Sequence, residues 1–175
     1  MLHAARCLTL GTLLWQSMKS AEGTAGEKHE FEWAGIFAVP EKMYMWTSQK
    51  VKGAYADNLN SMKVVAIPVA KATDKTLHGV TKDGDASLKQ TCKDVKPGGT
   101  IIPANGTCHK LVFDQTLWQS LFTVNASNAV AVAFFTERFP TEFEATAHYL
   151  KDKNGEDIEP VAELPEKKSG DGGST

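Results

Sequence analysis

Hydrophobic and polar positions alternate with a period of two through much of this chain, the mark of strands that bury one face. Residues 30–39 show it first. Phe31 and Trp33 fall on one face, Glu30 and Glu32 on the other, and Pro40 ends the run. The same pattern predicts strands at 43–51, 62–69, 108–113, 119–124 and 129–136. The last of these is apolar enough to be buried on both faces. Asn154-Gly155 between two short runs predicts a hairpin with a type I′ turn. Two short helices are expected: one over 73–80, with Thr73 as its cap, and one after Pro140, where Thr141 and Glu144 have capping-box spacing. About seven to nine short antiparallel strands separated by turn signals predict an all-β fold, a β-sandwich or small barrel, with one or two short helices. Trp33, Trp46, Trp118, Phe113, Phe122, Phe134 and Phe135 supply aromatic mass for its core.

The N-terminus follows a different pattern. His3 and Arg6 precede an uncharged run from Cys7 to Trp15, which has the length of a signal-peptide apolar region. It falls short of the ~20 residues that cross a bilayer, and no later segment reaches that length. Small residues at Ala21 and Gly23 suit cleavage after Gly23, with Ala21 or Ala25 as other candidates. The expected organisation is therefore a signal peptide over 1–23, a flexible 24–28, one β-rich domain over 29–164, and a tail over 165–175 too polar to fold. A secreted or periplasmic location follows. Of the 3 cysteines, Cys7 leaves with the signal, and the remaining pair, Cys92 and Cys108, reads as a disulfide in an oxidising compartment. Asn105 and Asn125 head N-glycosylation sequons, which in a eukaryotic secreted glycoprotein would lie on exposed loops.

Charge narrows the partners. The 175 residues carry 19 Lys and Arg against 21 Asp and Glu, a net charge of −2. Without residues 1–23 the counts become 17 and 20, a net −3. A weakly acidic chain with no basic stripe is a poor match for nucleic acid or an anionic membrane, which leaves a metal ion or an extracellular protein or ligand.

The recognised catalytic motifs are absent: no G-x-S-x-G, H-E-x-x-H, P-loop, G-x-G-x-x-G after a strand, or EF-hand loop occurs. One constellation remains. His29 precedes Glu30-Phe31-Glu32, and Glu142-Phe143-Glu144 is followed by His148. Glu144 and His148 are neighbours whether the segment is extended or helical. If the two segments pair, the facing carboxylates require a cation or basic side chains between them, and His with carboxylate suits zinc or manganese. His29, Glu30, Glu32, Glu142, Glu144 and His148 are thus the candidate metal ligands, with Lys28, Arg138 and Lys151 as the alternative counter-charges. A weaker pattern, Met43-Tyr44-Met45-Trp46, puts two thioethers on one strand face, a soft set for copper. Asp83-Gly84-Asp85 reads as a loop that would attract calcium only loosely, since it lacks the regular oxygen-donor spacing of a calcium loop, and His78 and His109 read as isolated surface or loop residues. The sequence therefore suggests a secreted non-enzymatic binding or interaction domain that holds a divalent metal through a Glu/His cluster. The alternative is a small secreted hydrolase using the same carboxylates and His148 as acid and base.

Overall fold

The computed structural model describes residues 28–166. The expected signal peptide and residues 24–27 lie outside the described residues, as does the tail beyond Glu166. The described chain is a two-sheet β structure with two short helices, in agreement with the all-β expectation. The larger sheet has the order β10-β1-β8-β3-β6-β4, formed by Ala162–Leu164, Trp33–Ala38, Ala131–Thr136, Ser61–Val69, Cys108–Val112 and Lys93–Val95. The smaller has the order β5-β7-β2-β9, formed by Thr100–Ile101, Gln119–Asn125, Met43–Gln49 and Leu150–Lys151.

The two sheets close on a core of Trp33, Phe37, Trp46, Met62, Phe122 and Phe134, with Tyr149 among them. The outer face of the larger sheet is covered as well. Helices α1 (Asp74–Gly79) and α2 (Thr81–Leu88) set Leu77 and Leu88 over Ile36, Val65, Ile67 and Phe135. This second layer explains why β8 reads Ala-Val-Ala-Phe-Phe-Thr and is buried at every position. β7, in the smaller sheet, keeps strict alternation because its outer face meets solvent.

The disulfide between Cys92 and Cys108 forms as expected, and it accounts for a departure from the antiparallel expectation. Cys92 immediately precedes β4 and Cys108 opens β6, so the bond joins the starting ends of two strands. They then run parallel, with Lys93 beside His109. Past β4 a turn closed by the Gly99 amide on the Lys96 carbonyl (2.8 Å) carries the chain to the other sheet. There β5 pairs with β7, again in parallel. The sheets are therefore mixed.

Other expectations are corrected. Phe31 and Trp33 do not share a face: the chain bends at Glu32, so Phe31 packs under the helices while Trp33 enters the inter-sheet core. Trp118 is 52% exposed, because Asp114 accepts the amides of Thr116 and Leu117 and turns that loop outward. At the 152–157 hairpin the Gly155 amide donates to the Asp152 carbonyl, and Gly155 alone in the loop takes a positive φ of 84°. That is a type I turn with a glycine bulge rather than type I′. Helix α1 starts as expected, with the Thr73 hydroxyl accepting the Thr76 amide at 3.2 Å. After Pro140 only a single 3-10 turn forms, Pro140–Phe143. The next amides are drawn off by Gln49, whose Oε1 accepts from Ala145, Thr146 and Ala147.

Asp83-Gly84-Asp85 forms part of α2 rather than a calcium loop. Gly84 lets this helix touch the sheet: a Cβ there would meet the base of the Phe135 ring at 2.6 Å. Gly84→Ala is accordingly expected to destabilise the fold by about 1–3 kcal/mol. The ~1 kcal/mol gained in helix propensity offsets only part of this. Thermal unfolding reads the result, and an unchanged or raised midpoint would show that the helix can lift off Phe135 at no cost.

Candidate functional site

The six proposed ligands fall into three places. His29 Nδ1 meets Asp85 Oδ2 at 2.7 Å, and its ring stacks on Phe31 with centroids 4.5 Å apart. The Glu30 amide donates to the other oxygen of Asp85, and the Glu30 carboxylate pairs with Lys89 at 3.6 Å. These contacts tie the segment before β1 to α2.

Glu32 and Glu142 come together around Arg138, whose guanidinium reaches Glu32 at 3.6 Å, Glu142 at 2.9 Å and Asp57 at 2.6 Å. A basic side chain thus occupies the space between the two acidic segments. Glu144 and His148 form the third place, with Nδ1 and Oε1 2.8 Å apart. Glu144 also accepts the Tyr149 amide at 3.0 Å. On the far side of the ring, His148 Nε2 lies 3.9 Å from Glu159 and has no hydrogen-bond partner. Burial pushes the His148 pKa down, but the hydrogen bond and charge of Glu144, joined by Glu159 and Asp157, outweigh it and hold the value above the ordinary one. The protonated ring therefore stabilises the fold fully below the unfolded histidine pKa, ~6.5, and this contribution is lost as pH rises through the elevated folded value.

A different trio converges. Among the described residues, Asp74, His78 and Glu166 place one ligand atom each within 4.8 Å of one another. His78 Nε2 is 3.6 Å from Asp74 and 3.8 Å from Glu166. His78 is therefore not isolated. The sequence reading missed the trio; the signal that could have found half of it is the spacing of four between Asp74 and His78 in the helix predicted over 73–80. Glu166 is 88 residues beyond His78 and carries no local signal. His109, expected at the surface or in a loop, is buried in β6, and burial lowers its pKa.

Two clefts flank the edge strand β10 and share Pro165. One, of about 510 Å³, lies between His29, His78, Phe31 and Leu164. The other, of about 270 Å³, is walled by Trp33, Tyr149 and Phe139, with His148, Glu159 and Glu163 at its polar positions. Met43 and Met45 are about two-fifths exposed on the outer face of the smaller sheet. Lys151 pairs directly across from Met45 and lines the same 460 Å³ cleft with Lys153, and among the described residues lining it no histidine or cysteine joins the two thioethers as a further soft donor. Asn105 is exposed in a turn within the disulfide loop, and Asn125 is half-buried at the end of β7, its side chain accepting the Ser127 amide.

The class these features define is a disulfide-linked, two-sheet β domain with a helical cover on one face. Comparison with protein-family models, curated proteins and solved structures finds no match to this chain. Among the described residues no helix is long and apolar enough to cross a membrane.

Proposed function

We propose that this protein is an extracytoplasmic, non-enzymatic binding domain whose ligand sits in the clefts beside β10. The observation that carries this reading is the meeting of two clefts at Pro165, where imidazoles, carboxylates and aromatic rings concentrate at one sheet edge. A disulfide whose loop links both sheets, together with the apolar run near the N-terminus, supports the compartment. Hydrolysis is the weaker reading. The carboxylates and His148 proposed as its acid and base fall in three places: Glu32 and Glu142 are committed to Arg138, and only Glu144 reaches His148, at 2.8 Å.

A second reading, divalent metal binding, draws on the Asp74, His78 and Glu166 trio. Donors ~2.0–2.1 Å from a tetrahedral zinc stand about 3.3 Å apart, close to the 3.6 and 3.8 Å between these atoms. Zinc or manganese would complete its shell there with water.

A thermal-shift panel of organic cations, organic anions, neutral polyols, zinc and manganese tests both readings on the purified protein. A ligand at one hundred times its Kd stabilises by ~2.7 kcal/mol, enough to raise the melting temperature by several degrees. His78→Ala is expected to abolish any zinc shift, and His148→Ala to leave it intact. A panel that moves nothing sinks the binding reading, and a zinc shift that survives His78→Ala sinks the metal reading.

A further inference from the structure

We propose that Asn125 is an N-glycosylation site and that its glycan lies on the open half of the smaller sheet's outer face, over Met43, Met45 and Ile102. This rests on the extracytoplasmic reading and adds a covalent modification to it.

The outer faces of the two sheets are closed differently. Helices α1 and α2 cover the larger sheet. On the smaller sheet the 145–147 loop covers one end, where Gln49 accepts its amides and Thr47 is buried. At the other end Met43 and Met45 are 43% and 41% exposed, and Ile102, just past β5, is 56% exposed. Apolar side chains gathered on one exposed face mark a surface that meets something.

Asn125 stands within this patch. It pairs directly across from Met43, and Met45 pairs with Thr123, two positions back on the same face of β7. It also shares a small cleft, of about 40 Å³, with Ile102. The tripeptide Asn125-Ala126-Ser127 crosses from β7 into a turn, with Ala126 buried and Ser127 exposed. The Ser127 amide donates to Asn125 Oδ1 at 3.1 Å, which fixes the side chain through its oxygen and leaves Nδ2 as the atom that takes the sugar.

The charges nearby favour a neutral occupant. Lys151, Asp152 and Lys153 line the cleft that holds Met43 and Met45. Lys151 pairs with Asp157, Lys153 pairs with Glu41 at 2.8 Å, and Asp152 accepts the amides of Asn154 and Glu156. Each charge there already has a partner. A pyranose brings hydroxyl and acetamido groups for this polar rim, and a C–H face for the thioethers, whose flexible side chains adapt to it. The other sequon is placed differently. Asn105 is exposed in the disulfide loop, where Gly106 comes near Gln90 beyond the end of α2, so its attachment point lies beside the helical cover.

The transfer is a substitution at carbon. Asn125 Nδ2 forms a bond to the anomeric carbon of a lipid-diphosphate-linked oligosaccharide as the bond from that carbon to the diphosphate oxygen breaks. The lipid diphosphate leaves with the electron pair, and the amide proton passes to the base of the transferase. The acceptor is reached on the unfolded chain, and the folded position has only to leave room for the product.

Expression of the full chain in insect cells tests the proposal, with peptide mass spectrometry on protein recovered from the medium. The Asn125 peptide is expected to carry N-acetylglucosamine and mannose, and peptide-N-glycosidase should remove them and leave aspartate. Hydrogen peroxide then reports the cover, because it converts an exposed thioether to a sulfoxide with release of water. Met43 and Met45 are expected to oxidise about threefold more slowly in the glycosylated protein than in Ser127→Ala, which removes the hydroxyl of the acceptor tripeptide. That variant keeps the backbone amide bonded to Asn125. Met62, which is fully buried, is the internal reference. Asn105→Gln should keep the protection. Enzymatic deglycosylation of the folded protein gives the same comparison should Ser127→Ala fold poorly. Secreted protein with a bare Asn125, or glycosylated protein whose Met43 and Met45 oxidise as fast as those of Ser127→Ala, overturns the proposal and leaves the extracytoplasmic reading standing. A chain that stays in the cytosol with Cys92 and Cys108 reduced overturns both.

Discussion

Replacing Gln49 with leucine is expected to cost about 3 kcal/mol and to release the loop that carries Glu144 and His148. Gln49 is fully buried in β2. Its Oε1 accepts three consecutive amides, from Ala145 at 2.9 Å, Thr146 at 2.9 Å and Ala147 at 3.1 Å. Its Nε2 donates to Gln119 Oε1 and Thr146 Oγ1, each at 3.4 Å. Leucine fills nearly the same volume and offers no acceptor. A buried amide left without a partner costs ~1–3 kcal/mol. The exposed residues Ala145 and Thr146 can recover part of this from water, so the total falls well below three full penalties. Gln49→Glu keeps the acceptor and is expected to lose less. Chemical denaturation measures the stability. An NMR titration of His148 measures the consequence: once the loop loosens, its raised pKa should fall toward the ordinary histidine value. A Gln49→Leu protein with an unchanged midpoint and an unchanged His148 titration would show that the loop holds itself.

Removing the disulfide should have an effect of similar size. Cys92 and Cys108 are 16 residues apart, and closing a loop of about that length restricts the unfolded chain by ~3 kcal/mol in the entropic model. The folded state depends on it locally as well. The bond aligns the starts of β4 and β6, and the loop it closes supplies both parallel pairings, β4 to β6 and β5 to β7. Urea unfolding of Cys92→Ala/Cys108→Ala is expected to show a midpoint lower by an amount corresponding to about 3 kcal/mol. Dithiothreitol should bring the unmodified protein down to the same midpoint and leave the variant unaffected. Hydrogen exchange should accelerate first at Ile101 and Val95. A midpoint indifferent to both reductant and substitution would mean that the sheets alone hold this loop.

These two effects differ in how far the sequence announces them. Two cysteines left after a signal-like segment are a local and countable fact, and the disulfide follows from it. Nothing in the neighbourhood of Gln49 marks it as the acceptor for a loop almost a hundred residues later. The functional candidates divide in the same way. Glu144 with His148 was legible because a spacing of four brings side chains together over a short stretch of chain; Asp74 and His78 have the same spacing, but His78 was read as isolated. The gathering of Glu32, Asp57 and Glu142 on Arg138 was not, because its members come from separate elements.

The fold itself shows the boundary between the two kinds of information. Period and punctuation determined the all-β class, the strands at β2, β3, β6, β7 and β8, the cap at Thr73 and the double burial of β8, since each reflects the environment of consecutive residues. Only the tertiary structure decided that Trp118, Met43 and Met45 point to solvent and that Phe31 and Trp33 part company at Glu32. It also decided that residues 81–88 coil into a helix. That segment has few apolar positions of its own, and it is held by packing Gly84 against Phe135. Local patterns record whether a residue is buried. Which residues bury it depends on contacts between distant segments, and those formed the clefts at β10.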